Sequence, residues 1–189
     1  MVTFRTLYLG FLALSAAERL VELALSRRNA ARSFARGGHE HGRAHFPVLV
    51  VLHTSFLVSC VAESAIRPFP GLLGWIALTV AVAAQGLRYW AVSALGDRWN
   101  ARVIVIPGDP PVDRGPYRFV RHPNYLAVVL EMIAVPLVHG CWVTATVFSL
   151  ANAAVLRVRI RAEEAALGPA WQRTFGGRPR FLPGGFGRA

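Results

Sequence analysis

Five apolar runs divide this chain, and arginine-rich segments separate them. They cover residues 7–25, 47–66, 72–92, 123–138 and 142–156. At the helical rise of about 1.5 Å per residue, the first three are long enough to cross a bilayer. The fourth is short for a crossing. His139 and Gly140 interrupt it before the fifth begins, so the last two runs read as a helical hairpin packed into the membrane. Arg67-Pro-Phe-Pro-Gly71 is a short turn, which makes the second and third runs antiparallel neighbours. The expectation is a single all-α integral membrane domain over residues 1–189, with about five transmembrane passages. Three transmembrane helices would fill 1–92. A catalytic region with a polar loop, the hairpin and a C-terminal helix would fill 93–189.

Charge orients this arrangement. The net charge is +11, and every basic residue is arginine. The arginines concentrate in segments 26–45 and 93–121 and toward the C-terminus, which places these on one side. The positive-inside rule makes that side cytoplasmic and the N-terminus external. No basic patch sits on a soluble module, so nucleic-acid binding is excluded. No cleavable signal is read in the first run, which carries Glu18, Arg19 and Glu22.

Several polar residues need separate readings. Glu18, Arg19 and Glu22 either lie in the interface or turn a polar face toward a buried site. His53 reads as an interior histidine. Gln85 and Arg88 make the third run polar near its end, and Tyr89 and Trp90 mark an interface belt. Segment 26–45 reads as a polar loop. Its His39, His41 and His45 raise a metal site, but their spacing matches no specific one, and no metal is assigned. Cys60 and Cys141 fit no metal motif, and their pairing stays open. Residues 103–106 are a short strand or extended chain. Gly168-Pro169 ends the last helix, and residues 171–186 read as an aromatic, basic tail along the membrane surface.

The densest chemistry lies between Arg114 and Glu131. Gly115-Pro116 is a turn, and Pro123 holds His122 out of α conformation. Pro123 suits the first position of a helix. A polar loop therefore ends at His122 and enters an apolar helix, whose start favours an anionic group. Asn124, Val128 and Glu131 share one stripe of it. A carboxylate at Glu131, two turns into an apolar helix, is costly and calls for a partner or a function. A hairpin brings its ends together, so Tyr117–Tyr125 should meet Arg159 and Glu163. No dinucleotide fingerprint or P-loop occurs.

Arg121-His-Pro-Asn-Tyr125, preceded by Gly115-Pro-Tyr117 and followed by Arg159-x-x-x-Glu163-Glu164, resembles the isoprenylcysteine carboxyl methyltransferase family. Phe175-Gly176 and Arg180-Phe-Leu-Pro-Gly184 resemble that family's ending. The resemblance implies S-adenosyl-L-methionine as methyl donor and S-adenosyl-L-homocysteine as product. It places the cofactor on Val112, Tyr117, His122, Pro123, Asn124, Tyr125 and Glu163, and turns Arg159 toward the substrate. Glu18-Arg-Leu-Val-Glu22, Ser26-Arg-Arg-Asn29, Gly38-His-Glu40, Leu52-His53 and Glu131 are similar to a bacterial branch. Members of that branch O-methylate alkylresorcinols and alkylpyrones made by type III polyketide synthases. The implied setting is a bacterial inner membrane, with lipids and a lipophilic small molecule as partners.

Methyl transfer from a sulfonium is an in-line displacement that depends on alignment. A carboxylate acceptor needs no base. A phenol, with a pKa of about 10, gains from one. Glu131 or His122 would be that base, and Arg159 would stabilise the phenolate. The competing readings are a carboxyl methyltransferase acting on a prenylated or other lipid-like carboxylate, and a non-catalytic lipid-binding protein of the same fold.

Overall fold

The computed structural model describes residues 3–181. Five helices build it: α1 Phe4–Ala35, α2 His45–Glu63, α3 Leu72–Leu95, α4 Pro123–Leu137 and α5 Trp142–Phe175. Two short strands, β1 His39–His41 and β2 Val103–Val105, pair antiparallel with Glu40 opposite Ile104. The all-α expectation therefore needs a correction at the polar end, where residues 103–105 are a strand and find their partner in β1.

Among the described residues three segments are long and apolar enough to cross a membrane: His45–Glu63, Leu72–Arg98 and Trp142–Phe175. That is fewer than the five passages expected, and the reason is physical. The charges of Glu18, Arg19 and Glu22 interrupt α1. The 15 residues of α4 rise only about 22 Å, short of a hydrocarbon core of about 30 Å.

A second correction concerns segment 26–45. Helix α1 does not stop at Ser26 but runs on to Ala35. Neither glycine nor proline occurs between Ser26 and Arg36, and arginine and alanine are strong helix formers. The extension buries Ser26, Asn29, Ala30 and Ser33, at the i, i+3, i+4, i+7 spacing of one helical face. Ser26 donates to Asn100 at 2.7 Å and accepts from the Ala101 amide at 3.0 Å. Asn29 donates to the Trp99 carbonyl at 2.8 Å. This face thus fixes the chain that leads into β2.

The helices pack through small residues. Gly74, Ala77, Ala81, Ala84 and Ala91, with Arg88 among them, are the buried face of α3. A Cβ on Gly74 would lie 2.8 Å from the Val138 carbonyl and 2.5 Å from the Phe69 ring. Close approach of this kind is how helices associate where apolar burial alone gives little drive. At the less polar end, Glu63 caps α5, accepting from the Val143 and Thr144 amides at 3.1 and 2.8 Å. A carboxylate there complements the helix dipole. Cys60 and Cys141 are both free and buried.

The first helical stretch of α5 ends at Gly168, as expected, and a second follows across a kink. The Gly168 φ of 67° breaks the helix, and Pro169 restarts it, as the first position of a helix allows. The chain then stays helical to Phe175. Trp171 and Phe175 are buried against Tyr117 and Ala91, so this part of the expected surface tail is interior instead. Residues 182–186 of that tail lie outside the described residues.

Candidate active site

The site forms where α4 begins beside the middle of α5. His122 precedes α4 with φ −129° and ψ 60°, the non-helical geometry that the following proline imposes. Its ring stacks on Tyr125 with centroids 5.4 Å apart and lies 5.7 Å from Trp171. His122 Nε2 is 3.0 Å from Glu164, which also takes two bonds from Arg180 at 2.7 and 3.1 Å.

Tyr125 joins the two helices. Its hydroxyl donates to Glu163 and accepts from Arg159 Nε at 2.8 Å. Arg159 Nη2 donates to the Ala101 carbonyl at 2.6 Å. Arg159 and Glu163, one turn apart on α5, therefore meet on the tyrosine oxygen and not on each other. Among the described residues Arg159 Nη1 has no hydrogen-bond partner. Burial, with the Glu163 charge nearby, pushes the Tyr117 hydroxyl well above its ordinary pKa, so it stays a neutral donor.

The C-terminal segment straps this loop. The Arg121 and His122 amides donate to the Pro179 and Arg180 carbonyls at 3.0 and 3.1 Å. Arg121 reaches the Gly176 and Arg178 carbonyls, each at 2.6 Å. Arg178 binds Asp113 at 2.7 and 2.9 Å and holds its carboxyl below the usual range.

A cavity of about 1180 Å³ opens beside these residues. Val112, Tyr117, His122, Asn124, Tyr125, Arg159 and Glu163 all line it, so the structure brings these sequence-nominated positions together. Pro123 is buried and starts α4 without reaching the wall. Glu131 does not line the cavity. Through Oε2 it pairs with Arg88 at 3.2 Å and Arg19 at 3.6 Å, while its Oε1 is buried without a partner among the described residues. Its neighbours Arg19, Glu22 and Arg88 do reach the wall.

Sequence reasoning missed Trp171, which lines the cavity and stacks near His122. Its i,i+4 spacing to Phe175 was the available signal. His39 and His41, raised from the sequence only as metal candidates, alternate with Glu40 along β1 and line the cavity. Glu40 lies near Arg102 and Arg43, at 3.5 and 3.7 Å. Among the described residues no three His, Cys, Asp or Glu side chains converge as metal ligands would.

The wall chemistry suits a nucleoside that carries a cation. Asn124 Oδ1 is buried without a partner, an acceptor placed for an exocyclic amine. Glu163 offers a carboxylate to hydroxyls. Trp171, His122 and Tyr125 present ring faces to an aromatic base or a sulfonium.

The family model described as Isoprenylcysteine carboxyl methyltransferase (ICMT) family matches residues 75–169. A Bacillus subtilis protein named "Uncharacterized protein YpbQ" is 38% identical over 151 residues, which is 79% of this chain and 90% of that one. A Haemophilus influenzae protein, named only "Uncharacterized protein", is 25% identical over 152 residues, 79% of this chain and 88% of that one.

Proposed function

We propose, for a chain that belongs to the isoprenylcysteine carboxyl methyltransferase family, that it transfers a methyl group to a hydroxyl oxygen of a lipophilic acceptor. Family membership implies S-adenosylmethionine-dependent methylation. The acceptor of this reading is a phenol or enol of the alkylresorcinol or alkylpyrone kind, which a type III polyketide synthase would supply. The site faces the cytoplasm of a bacterial cell.

The observation that carries the reading is the continuity of the cavity. It extends from His122 and Glu163 to apolar residues of α1 and α2, among them Leu20, Leu57 and Val58. Leu20 and Val58 line it while remaining 67% and 62% exposed, so that flank opens sideways into the bilayer. A polar cofactor reaches one end from water, and a lipid chain reaches the other from the membrane.

The cofactor supplies an electrophilic methyl on sulfur. The chain supplies position. Glu163 and Asn124 hold the nucleoside, and Tyr125 fixes Glu163 through its hydroxyl. Arg159, which lines the cavity and has no partner for Nη1 among the described residues, would donate to the acceptor oxygen and favour its ionised form. Of the two bases considered, His122 alone lines the cavity. Glu131 is a positioning residue that keeps Arg88 and Arg19 in place. The C-terminal strap keeps water from the loop.

The pH dependence of turnover tests the acceptor class. With S-adenosylmethionine and a long-chain alkylresorcinol, the rate should climb with pH toward the phenol pKa of about 10. A long-chain carboxylate should be a poor acceptor with a flat profile across neutral pH. Fast, pH-independent methylation of the carboxylate would reverse the assignment.

A further inference from the structure

The apolar part of the cavity contains a polar station that the transfer chemistry does not use. Arg88 of α3 donates to Glu22 of α1 at 2.6 and 2.9 Å and to Glu131 of α4 at 3.2 Å. Arg19 donates to Glu22 at 2.9 Å and to Gln85 at 3.2 Å. The charges of these two arginines and two glutamates cancel. Glu18, nearby on α1, is bound by the Tyr89 hydroxyl. Glu131 sits six residues beyond Tyr125, roughly 9 Å deeper along α4 at the helical rise.

His53 of α2 lines the same cavity as this station. Arg19, Glu22, His53 and Arg88 all line the wall, and His53 is within electrostatic reach of the other three. Its Nδ1 lies 2.9 Å from the Leu49 carbonyl of its own helix. A carbonyl only accepts, so Nδ1 carries the proton. That leaves Nε2 of the neutral ring as a pure acceptor, with no partner among the described residues. A histidine satisfied only by its own helix would explain one nitrogen and not the other.

We propose that His53 Nε2, set against the Arg19–Glu22–Arg88 ion cluster, is the recognition point for a hydroxyl on the acceptor's head group. The inference rests on reading the cavity as an acceptor site and narrows its ligand. A pure acceptor calls for an O–H donor. An ionised carboxylate has none, and neither does an ether. The cancelled charges of the cluster also give an anion no net attraction, while Glu18 adds a negative charge nearby. The station therefore selects a neutral, hydroxylated head such as a resorcinol and rejects its fully methylated form.

Binding measurements separate this from the transfer reaction. Full-length protein in phosphatidylcholine nanodiscs is titrated with a long-chain alkylresorcinol and, separately, with its dimethyl ether. Wild type should prefer the diol at least about tenfold, the scale of a buried polar group left unpaired. His53→Leu should erase that preference while leaving S-adenosylhomocysteine affinity and Tm unchanged. His53→Gln, which restores an acceptor oxygen, should recover part of it. Equal binding of the two probes, binding of neither, or a preference that survives His53→Leu would overturn the proposal. Absence of S-adenosylhomocysteine binding would instead count against the methyltransferase reading, and a His53-dependent preference for the diol would stand without it.

Discussion

Replacing Arg159 by lysine should lower methyl-transfer turnover about a hundredfold, the cost of misplacing a reacting group by an ångström or so. Arg159 does three things with one planar group. It holds the Tyr125 hydroxyl at 2.8 Å and the Ala101 carbonyl at 2.6 Å, and it leaves Nη1 without a partner among the described residues while lining the cavity. Lysine has one compact charge on a flexible stem and cannot reproduce that fork. The charge beside Glu163 is retained, so the fold should survive, which a thermal melt would verify. Turnover close to wild type would mean that Arg159 is a structural tie between α5 and the Ala101 loop and nothing more.

The largest effect on stability is expected at Arg88. Its side chain is 7% exposed and serves both Glu22 and Glu131. Arg88→Met keeps the volume and leaves Arg19 alone to face two carboxylates, so one negative charge goes unbalanced in an apolar bundle. Breaking a buried pair from one side costs about 3–5 kcal/mol, so the variant should melt far earlier in detergent. Adding Glu131→Gln to Arg88→Met should recover part of the loss, because the unbalanced charge is gone. Glu131→Gln alone should leave the pH profile of turnover unchanged, since this carboxylate does not reach the cavity wall. Loss of turnover in Glu131→Gln at unaltered stability would restore Glu131 as the base.

Much of the bundle is legible in the chain because apolar runs and turn residues act locally. The breaks at Arg67–Gly71 and His139–Gly140 mark where helices end. Pro123 marks where α4 begins, and the hairpin logic brings Tyr125 to Arg159 and Glu163. What escaped depends on distant partners. A polar helix such as residues 26–35 looks like loop until Trp99, Asn100 and Ala101 arrive to take its hydrogen bonds. Pairing of β1 with β2 joins residues far apart in sequence, and three residues are too few to announce a strand. Gly168-Pro169 reads as a stop and is one, but the second helical stretch beyond it rests on the burial of Trp171 against Tyr117. The charge of Glu131 within an apolar run called for a partner or a function. That its partners would be Arg88 and Arg19 could not be read from its own helix.

The account stands on one cavity wall in which Glu163 and Tyr125 hold a nucleoside cofactor beside lipid. Calorimetric titration of the nanodisc-embedded protein with S-adenosylhomocysteine tests that wall directly. The account predicts saturable binding by the wild type, lost in a Glu163→Ala variant that melts normally. No heat of binding in the wild type, or undiminished binding by the variant, would contradict it.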